Sequence, residues 1–407
     1  MPNASQANVL SEPLAAPRRF AVMGPILSTV AFTFLTYLTI GLSIAVLPGF
    51  VHGTLGFSAI VAGLSISTQY VATLISRARA GHLSDTLGAK RTVTGGLVLC
   101  AASGLLMLFG ALAAAVPALS LGLILMGRLA LGCAESCVGT GAIAWGLGQV
   151  GHKHTARVIS WNGVATYGGI AAGAPLGVLT AHHFGFAAVG GVSLLLMLMA
   201  FPLARRKRAT AIAVGERSSI ANVAVRVLPH GIGLALGSVG FGCIATFITL
   251  FYAAHDWTGA ALSLSVFGVM FVGTRFVFGK MIVRVGGYRV AMVSFAVEAI
   301  GLSMLWLADD MALATAGAAV AGMGFSLIFP ALGVEAVNRV PENSRGAAVG
   351  VFTVFLDVAM VLVGPLGGWV AAGMGFGSVY GFATLAAATA VALTLFLDVR
   401  SRRMVGL

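Results

Sequence analysis

Long apolar runs separated by short polar segments dominate this chain. The runs cover residues 20–47, 57–80, 92–113, 119–149, 158–181 and 186–204, and then 228–254, 259–280, 290–307, 312–338, 347–372 and 377–398. A helix needs about 20 residues to cross the hydrocarbon core of a bilayer, and each run approaches or exceeds that length. The pattern therefore predicts an all-α membrane protein with twelve transmembrane helices.

The polar segments divide these helices into two groups of six. The longest internal polar segment, 205–227, follows the sixth run and opens with four consecutive basic residues, Arg205 to Arg208. We expect a cytoplasmic tail at 1–19, a six-helix bundle at 20–204, a linker at 205–227, a second six-helix bundle at 228–398 and a cytoplasmic tail at 399–407.

Composition excludes a soluble protein. Hydrophobic residues make up 58% of the chain and charged residues only 9%, whereas soluble proteins carry about 25% charged residues. The net charge of +12 does not indicate nucleic-acid binding, because the Lys and Arg residues outside the runs fall on one predicted side, while Asp256, Asp309 and Asp310 fall on the other. Basic residues mark the cytoplasmic side, so both termini are predicted to be cytoplasmic.

The two halves repeat each other, which predicts two pseudo-symmetric bundles. Residues 76–91 align with 274–289 without a gap, although Val283 replaces the acid Asp85. Residues 174–177 likewise align with 364–367, and 185–186 with 375–376. The matched pairs of the first alignment are Arg77 with Arg275, Gly81 with Gly279, Gly88 with Gly286, and Arg91 with Arg289.

A short polar segment between the second and third runs has the spacing G-x-x-x-D-x-x-G-x-K-R, formed by Gly81, Asp85, Gly88, Lys90 and Arg91. Glycine permits a tight turn, and the bases hold it on the cytoplasmic side. The segment resembles motif A of the major facilitator superfamily. That resemblance implies the major facilitator fold, and a cytoplasmic gate that also includes Arg77, Arg275 and Gly279.

Charges inside the apolar runs are rare, and an ionisable residue there suggests function. Arg128 and Glu135 lie seven residues apart on the fourth run, on nearly the same helix face. Arg128 with Gly132 resembles motif B of the superfamily, whose arginine is linked to proton transfer. We expect Glu135 to carry the coupling proton, with a structural Arg–carboxylate link as the alternative. Asp357 is either a second proton site or a partner for Arg128.

The fifth run contains small residues at helical spacing around a proline: Gly169, Gly173, Pro175 and Gly177. Small residues allow close packing of transmembrane helices. The stretch resembles motif C, the antiporter motif, although Ala174 replaces the glycine that usually precedes the proline. The resemblance implies export.

A substrate cavity with apolar walls and a few polar groups is expected between the two bundles. Its candidate residues are Tyr37, Gln69, Tyr70, Tyr167, Phe247 and Phe251. For each polar residue the alternative is a tether between helices, and for the two phenylalanines it is ordinary packing.

The chain is most similar in detail to bacterial sugar- and drug-efflux-like permeases of that superfamily. The resemblance implies a monomeric secondary transporter of the bacterial inner membrane, with a small organic molecule, protons and the lipid bilayer as partners. Proton-coupled export is expected, and proton-coupled uptake is the alternative. A passive channel or a membrane-embedded enzyme fits less well. No phosphate-binding GxxxxGK[ST] occurs, and no cofactor, metal or nucleic acid is expected.

Overall fold

The computed structural model describes residues 19–151, 154–210, 220–341 and 345–405. These residues are overwhelmingly helical and include no strand. They form twelve helices that are long and apolar enough to span a membrane, which confirms the predicted fold class. The helices are α1 (Arg19–Ile44, followed by Leu47–Gly49 and Phe50–Thr54), α2 (Ala59–Thr86), α3 (Ala89–Leu112), α4 (Pro117–Val150), α5 (Thr155–Phe184), α6 (Phe186–Arg206), α7 (Ile220–Ala254), α8 (Ala260–Phe278), α9 (Gly287–Trp306), α10 (Met311–Ser326 and Ile328–Val337), α11 (Arg345–Met374) and α12 (Ser378–Val405), with a short helix Met281–Val285 between α8 and α9.

Several helices extend beyond the apolar runs. The polar segment 81–91 was predicted to be a turn, but α2 continues to Thr86 and α3 begins at Ala89. Helix α7 begins at Ile220, inside the predicted linker, and α12 continues to Val405, through most of the predicted tail. Hydropathy marks the part of a helix that lies in lipid, whereas the helical hydrogen bonds continue into water. The predicted tail 1–19 lies outside the described residues, except for its last residue.

The backbone reproduces the internal repeat. Gly88 precedes α3 with φ = 89°, and its predicted equivalent Gly286 precedes α9 with φ = 97°. The turns before α6 and α12 correspond in the same way, with φ = 80° at Gly185 and 84° at Gly375. Residues with a Cβ atom rarely adopt such φ values, so glycine is required at all four turns. Equivalent turns in the two halves support the pseudo-symmetric arrangement.

We call the side of the molecule where α1 begins and α12 ends the terminal side, and the opposite side the distal side. The two bundles meet tightly on the distal side. Ser67 Oγ of α2 donates to the carbonyl oxygen of Met360 on α11 at 3.2 Å. One turn further toward the distal side, a Cβ atom on Gly63 would lie 2.0 Å from the Gly364 carbonyl oxygen. The helix backbones therefore touch, and the distal side is closed.

Replacing Gly364 with alanine should prevent this contact. The added Cβ atom would lie 2.2 Å from the Gly63 carbonyl oxygen, and overpacking of this kind costs roughly 1–3 kcal/mol. We expect a lower melting temperature in detergent and reduced transport. Gly350→Ala is the matched control on the same helix, because a Cβ atom at Gly350 meets nothing within 4 Å. Equal melting temperatures for the two variants would show that closure of the distal side does not depend on this contact.

Candidate functional site

An arginine and an aspartate join the two bundles beside the contact of α2 with α11 that closes the distal side. Arg77 Nη2 of α2 donates to Asp357 Oδ2 of α11, and Asp357 is 1% exposed. Ser67 and Met360 face each other where α2 and α11 touch. Arg77 lies ten residues further toward the terminal side on α2, whereas Asp357 lies only three residues from Met360 on α11. The guanidinium therefore reaches back along α2, which agrees with the tilt of helical side chains toward the helix N-terminus. The pair is a bond that the two halves must break in order to separate there.

The contact between Arg77 and Asp357 leaves buried polar atoms without partners. Asp357 Oδ1 and Arg77 Nε have no hydrogen-bond partner among the described residues. A buried carboxylate is costly unless its oxygens are compensated, and protonation removes that cost. Asp357 is thus placed where its charge depends on one cation from the other half.

Glu135 is held by a second group of side chains, all in the first bundle. Its Oε2 atom accepts hydrogen bonds from Gln69 Nε2 at 2.8 Å and from Thr73 Oγ1 at 3.0 Å, both on α2. A Cβ atom on Gly132 would lie 2.1 Å from the Gln69 carbonyl oxygen. Gly132 therefore lets α4 approach α2 closely enough for these two donors to reach Glu135.

Electrostatic interactions connect these groups into one cluster. Glu135 interacts with both Arg77 and Asp357, and the Tyr37 hydroxyl interacts with all three. The cluster lies where α1, α2 and α4 of the first bundle face α11 of the second. It brings together four predicted site residues that are up to 320 positions apart in the chain.

Arg128 does not form the ion pairs proposed for it from sequence. Its Nη1 atom donates to Ser43 Oγ of α1 at 2.7 Å, and it forms no ion pair with Glu135 or Asp357 among the described residues. Arg128 still interacts electrostatically with Glu135 at longer range. The partner of Asp357 is Arg77, because α11 packs against α2 whereas Arg128 points into the first bundle.

The cytoplasmic gate residues predicted from motif A lie on or beside three helices, α2, α3 and α8. A Cβ atom at Gly81 would meet nothing within 4 Å, so close packing does not explain this glycine. Asp85 and Arg91 are exposed. Lys90 Nζ donates to the Arg205 carbonyl oxygen at 2.8 Å, which ties the start of α3 to the end of α6. In the second half, Gly279 caps the end of α8 with φ = −56°.

The small residues of α5 form a stripe that packs on α1. Cβ atoms built on three of the glycines would lie close to carbonyl oxygens of α1: 2.6 Å from Phe34 for Gly169, 2.3 Å from Leu38 for Gly173 and 2.0 Å from Leu42 for Gly177. Pro175 lies inside the same helix. The antiporter-like stretch therefore fixes how α5 and α1 touch.

A narrow cavity of about 20 Å³ lies between α5 of the first bundle and α7, α8 and α10 of the second. Of the predicted cavity residues, only Tyr167 lines it. Gln69 is a tether to Glu135, which was the alternative for the polar candidates, and Tyr70 is buried.

The two phenylalanines predicted to line the cavity belong to the packed core instead. Phe247 is 0% exposed and Phe251 is 1% exposed. Phe247 lies against Gly367, and Phe251 packs edge-on against Tyr380 with ring centroids 5.2 Å apart. Packing, which was the alternative, accounts for both.

The cavity has aromatic walls that sequence reasoning missed. Besides Tyr167, they include Phe241, Phe267, Phe271 and Phe325. Phe267, Phe271 and Arg275 are spaced by four residues on α8 and so share one face of that helix. The Arg275 guanidinium carbon lies 5.3 Å from the Tyr167 ring centroid and 5.1 Å from that of Phe271. Arg275, which is also a predicted gate residue, therefore lies beside the cavity.

Replacing Glu135 with glutamine should slow transport. The glutamine side chain would keep the contact with Thr73 but lose the negative charge that acts on Arg77 and Asp357. We expect a transport rate lower by about tenfold. Glu335→Gln is the control, because Glu335 accepts a bond from the Gly287 amide on the terminal side. A Glu135→Gln variant that transports at the wild-type rate would show that this negative charge has no role in transport.

Comparisons with known proteins agree with this geometry. The profile described as Major Facilitator Superfamily matches residues 29–286 and 230–405. An uncharacterized MFS-type transporter of Burkholderia mallei is 55% identical over 404 residues, which cover 99% of this chain and 98% of the relative. Another uncharacterized MFS-type transporter, from Pseudomonas aeruginosa, is 52% identical over 378 residues, covering 93% and 94%.

Solved structures of two transporters share the fold. The nucleoside transporter NupG superposes with a TM-score of 0.74 at 15% identity, covering 91% of this chain and 99% of the other. A D-xylose–proton symporter gives the same TM-score of 0.74 at 16% identity, covering 91% and 97%. Identities this low support the common architecture only.

Proposed function

Because the chain belongs to the Major Facilitator Superfamily and is a multi-pass membrane transporter, we propose that it couples the movement of protons to the export of a small organic molecule. The membrane is the bacterial inner membrane, and both termini are cytoplasmic. The excess of Lys and Arg on the terminal side supports this orientation.

The observation that carries the proposal is the charge balance of the cluster between the halves. Two carboxylates, Glu135 and Asp357, lie close to one guanidinium, that of Arg77. Like charges in a poorly solvated site oppose each other, so one carboxylate readily takes a proton. Such a site binds and releases a proton as its surroundings change.

Asp357 is better suited than Glu135 to carry that proton. The Glu135 carboxylate has two hydrogen-bond donors on α2 and also Arg128 at longer range. These groups surround the Glu135 carboxylate with donors and positive charge. Asp357 has Arg77 as its partner and a second oxygen without a partner among the described residues. We therefore assign the coupling proton to Asp357 and give Glu135 a supporting electrostatic role.

Protonation at Asp357 links proton binding to movement of the halves. A neutral carboxyl group binds the Arg77 guanidinium much more weakly than a carboxylate does. Proton binding therefore weakens the bond between α2 and α11 and favours their separation. Release of the proton restores the ion pair and the closed distal side, so the proton controls the access state.

The proposed direction rests on the stripe of small residues in α5. Gly169, Gly173 and Gly177 place α5 in backbone contact with α1, which is the arrangement that the antiporter-like motif implies. In antiport, substrate and proton occupy the transporter alternately. Substrate binding would then favour the state in which Asp357 is charged.

The test uses purified protein in liposomes that contain a pH-sensitive dye. A thermal-shift screen first supplies a binding compound, since ligands stabilise the state that they bind. An inward gradient of that compound should then drive protons out of the vesicles. Proton movement in the same direction as the compound would establish uptake by symport and overturn the proposed direction. Transport without any pH change would overturn proton coupling and would indicate a passive pathway.

A further inference from the structure

The internal repeat relates Arg275 and Tyr167 to the two residues of the ion pair, Arg77 and Asp357. Arg275 of α8 corresponds to Arg77 of α2, as the alignment of 274–289 with 76–91 shows. The alignment of 174–177 with 364–367 has an offset of 190 residues, and the same offset relates Tyr167 of α5 to Asp357 of α11. The bundles meet through two equivalent helix pairs, α2 with α11 and α8 with α5. The contact of Arg275 with Tyr167 in the second pair therefore corresponds to the Arg77–Asp357 ion pair in the first.

The two contacts differ in charge. Arg77 pairs with a carboxylate, whereas Arg275 lies 5.3 Å from an aromatic ring centroid. Arg275 Nη2 donates to the Ser326 carbonyl oxygen at 2.8 Å, and its Nε atom has no partner within the described part of the chain. No carboxylate of the described residues forms an ion pair with it. Arg275 is thus a guanidinium that lacks the counter-charge its repeat equivalent has.

The surroundings of Arg275 fit the apolar part of a molecule. The cavity beside it is lined by aromatic and aliphatic side chains: Tyr167, Phe241, Phe267, Phe271 and Phe325 among them. Phe241 and Phe325 stack with ring planes only 3° apart and centroids 5.2 Å apart. Flat aromatic faces contact a flat apolar body well, and a guanidinium binds a carboxylate through two parallel hydrogen bonds.

From this arrangement we infer that the transported substrate is an amphipathic organic anion, typified by an aromatic carboxylate. Its acidic group binds Arg275, at the position that the Asp357 carboxylate takes at the equivalent contact, and its ring lies among the phenylalanines of α7, α8 and α10. The inference rests on the proposed transport function and specifies its substrate class. A cavity of about 20 Å³ holds little more than a water molecule, so the substrate binds when the halves are further apart.

The inferred substrate class is tested by binding a matched series of probes to the full-length protein in lipid nanodiscs. The probes are 2-naphthoate, the neutral 2-naphthalenemethanol, the cationic 2-naphthylmethylamine and acetate, which lacks the ring. Because hydrogen bonds to charged groups are stronger than those between neutral groups, we expect 2-naphthoate to bind at least about tenfold more tightly than the neutral alcohol. The other two probes should bind more weakly still. Equal affinity for the naphthoate and the alcohol, or no binding of naphthoate, overturns the inference.

Variants of the two facing residues locate the site. Arg275→Gln should weaken naphthoate binding by about tenfold or more and leave the alcohol unchanged, whereas Arg275→Lys should keep part of the preference. Tyr167→Asp restores a carboxylate opposite Arg275 and should abolish the preference for the anion, while Tyr167→Phe should retain it. Arg284→Gln, at an exposed position, is the control. An unchanged preference in both Arg275→Gln and Tyr167→Asp overturns the site.

The binding assay involves no proton gradient, so its result is independent of coupling. If naphthoate binds as expected but its transport moves no protons, the substrate class stands and the proposed coupling fails. If another compound is transported with protons while naphthoate shows no preference over its alcohol, the coupling stands and the substrate class fails. A melting curve for each variant identifies any that do not fold, and the probe series on the wild type remains decisive in that case.

Discussion

Asp357→Asn is expected to abolish transport against a gradient. Asparagine has the shape of the protonated aspartate and cannot release a proton, so a pH gradient cannot drive the variant. In liposomes with an imposed pH gradient, substrate accumulation should fall to the level of protein-free vesicles. Exchange of labelled for unlabelled substrate should also fall in the same vesicles, because in the proposed antiport substrate binding favours the charged form of Asp357.

Asp398→Asn is the matched control for this loss. Asp398 also accepts from an arginine, Arg402, but within a single helix on the terminal side. Accumulation should be unaffected there. Driven accumulation by Asp357→Asn, with a normal number of protons per substrate, would remove Asp357 from the coupling role.

The second large effect concerns stability. Removing either partner of the Arg77–Asp357 pair leaves the remaining charge with poorer compensation, which costs up to about 3–5 kcal/mol when that charge is buried. Arg77→Gln and Asp357→Asn should each lower the free energy of unfolding, but the double variant should lose much less than the sum of the two. The measurement is reversible unfolding in mixed micelles for the wild type, both single variants and the double variant.

Asn at position 357 is neutral, so the cost of Asp357→Asn comes from the loss of the nearer counter-charge of Arg77. A smaller loss than for Arg77→Gln is expected, because Arg77 is partly exposed and still interacts with Glu135. The same cycle on Arg402 and Asp398 should give a coupling energy of only about 0.3–0.5 kcal/mol, as for pairs four residues apart on one helix. Additive losses for Arg77 and Asp357 would mean that the ion pair does not hold the halves together.

The fold was predictable from sequence because its determinants are local. Length and hydropathy identified all twelve helices, and the glycines at 88 and 286 marked equivalent turns because positive φ values require glycine there. Helix ends were less predictable, since hydropathy reports the lipid boundary and not the last hydrogen bond. For this reason α2, α7 and α12 exceed their predicted lengths.

The site was predictable in its residue types but not in its pairings. Rare charges within apolar helices identified Arg128, Glu135 and Asp357. The seven-residue spacing of Arg128 and Glu135 suggested a pair, but neighbouring helices supplied both with other partners, Ser43 for the arginine and Gln69 for the glutamate. The contact between Arg77 and Asp357 spans 280 positions, and no periodicity within a helix reports it.

The central claim is that Asp357 carries the coupling proton. The direct test is to detect whether its carboxyl group gains and loses a proton. Infrared spectra of the protein in lipid, recorded over a pH series, resolve the carbonyl stretch of a protonated carboxyl group from that of a carboxylate. Buried Glu298 contributes equally to every variant and cancels in difference spectra. The account predicts a protonated-carboxyl band that titrates in the wild type and in Glu135→Gln, decreases when substrate binds, and is absent in Asp357→Asn. A titrating band that persists in Asp357→Asn and disappears in Glu135→Gln would contradict it.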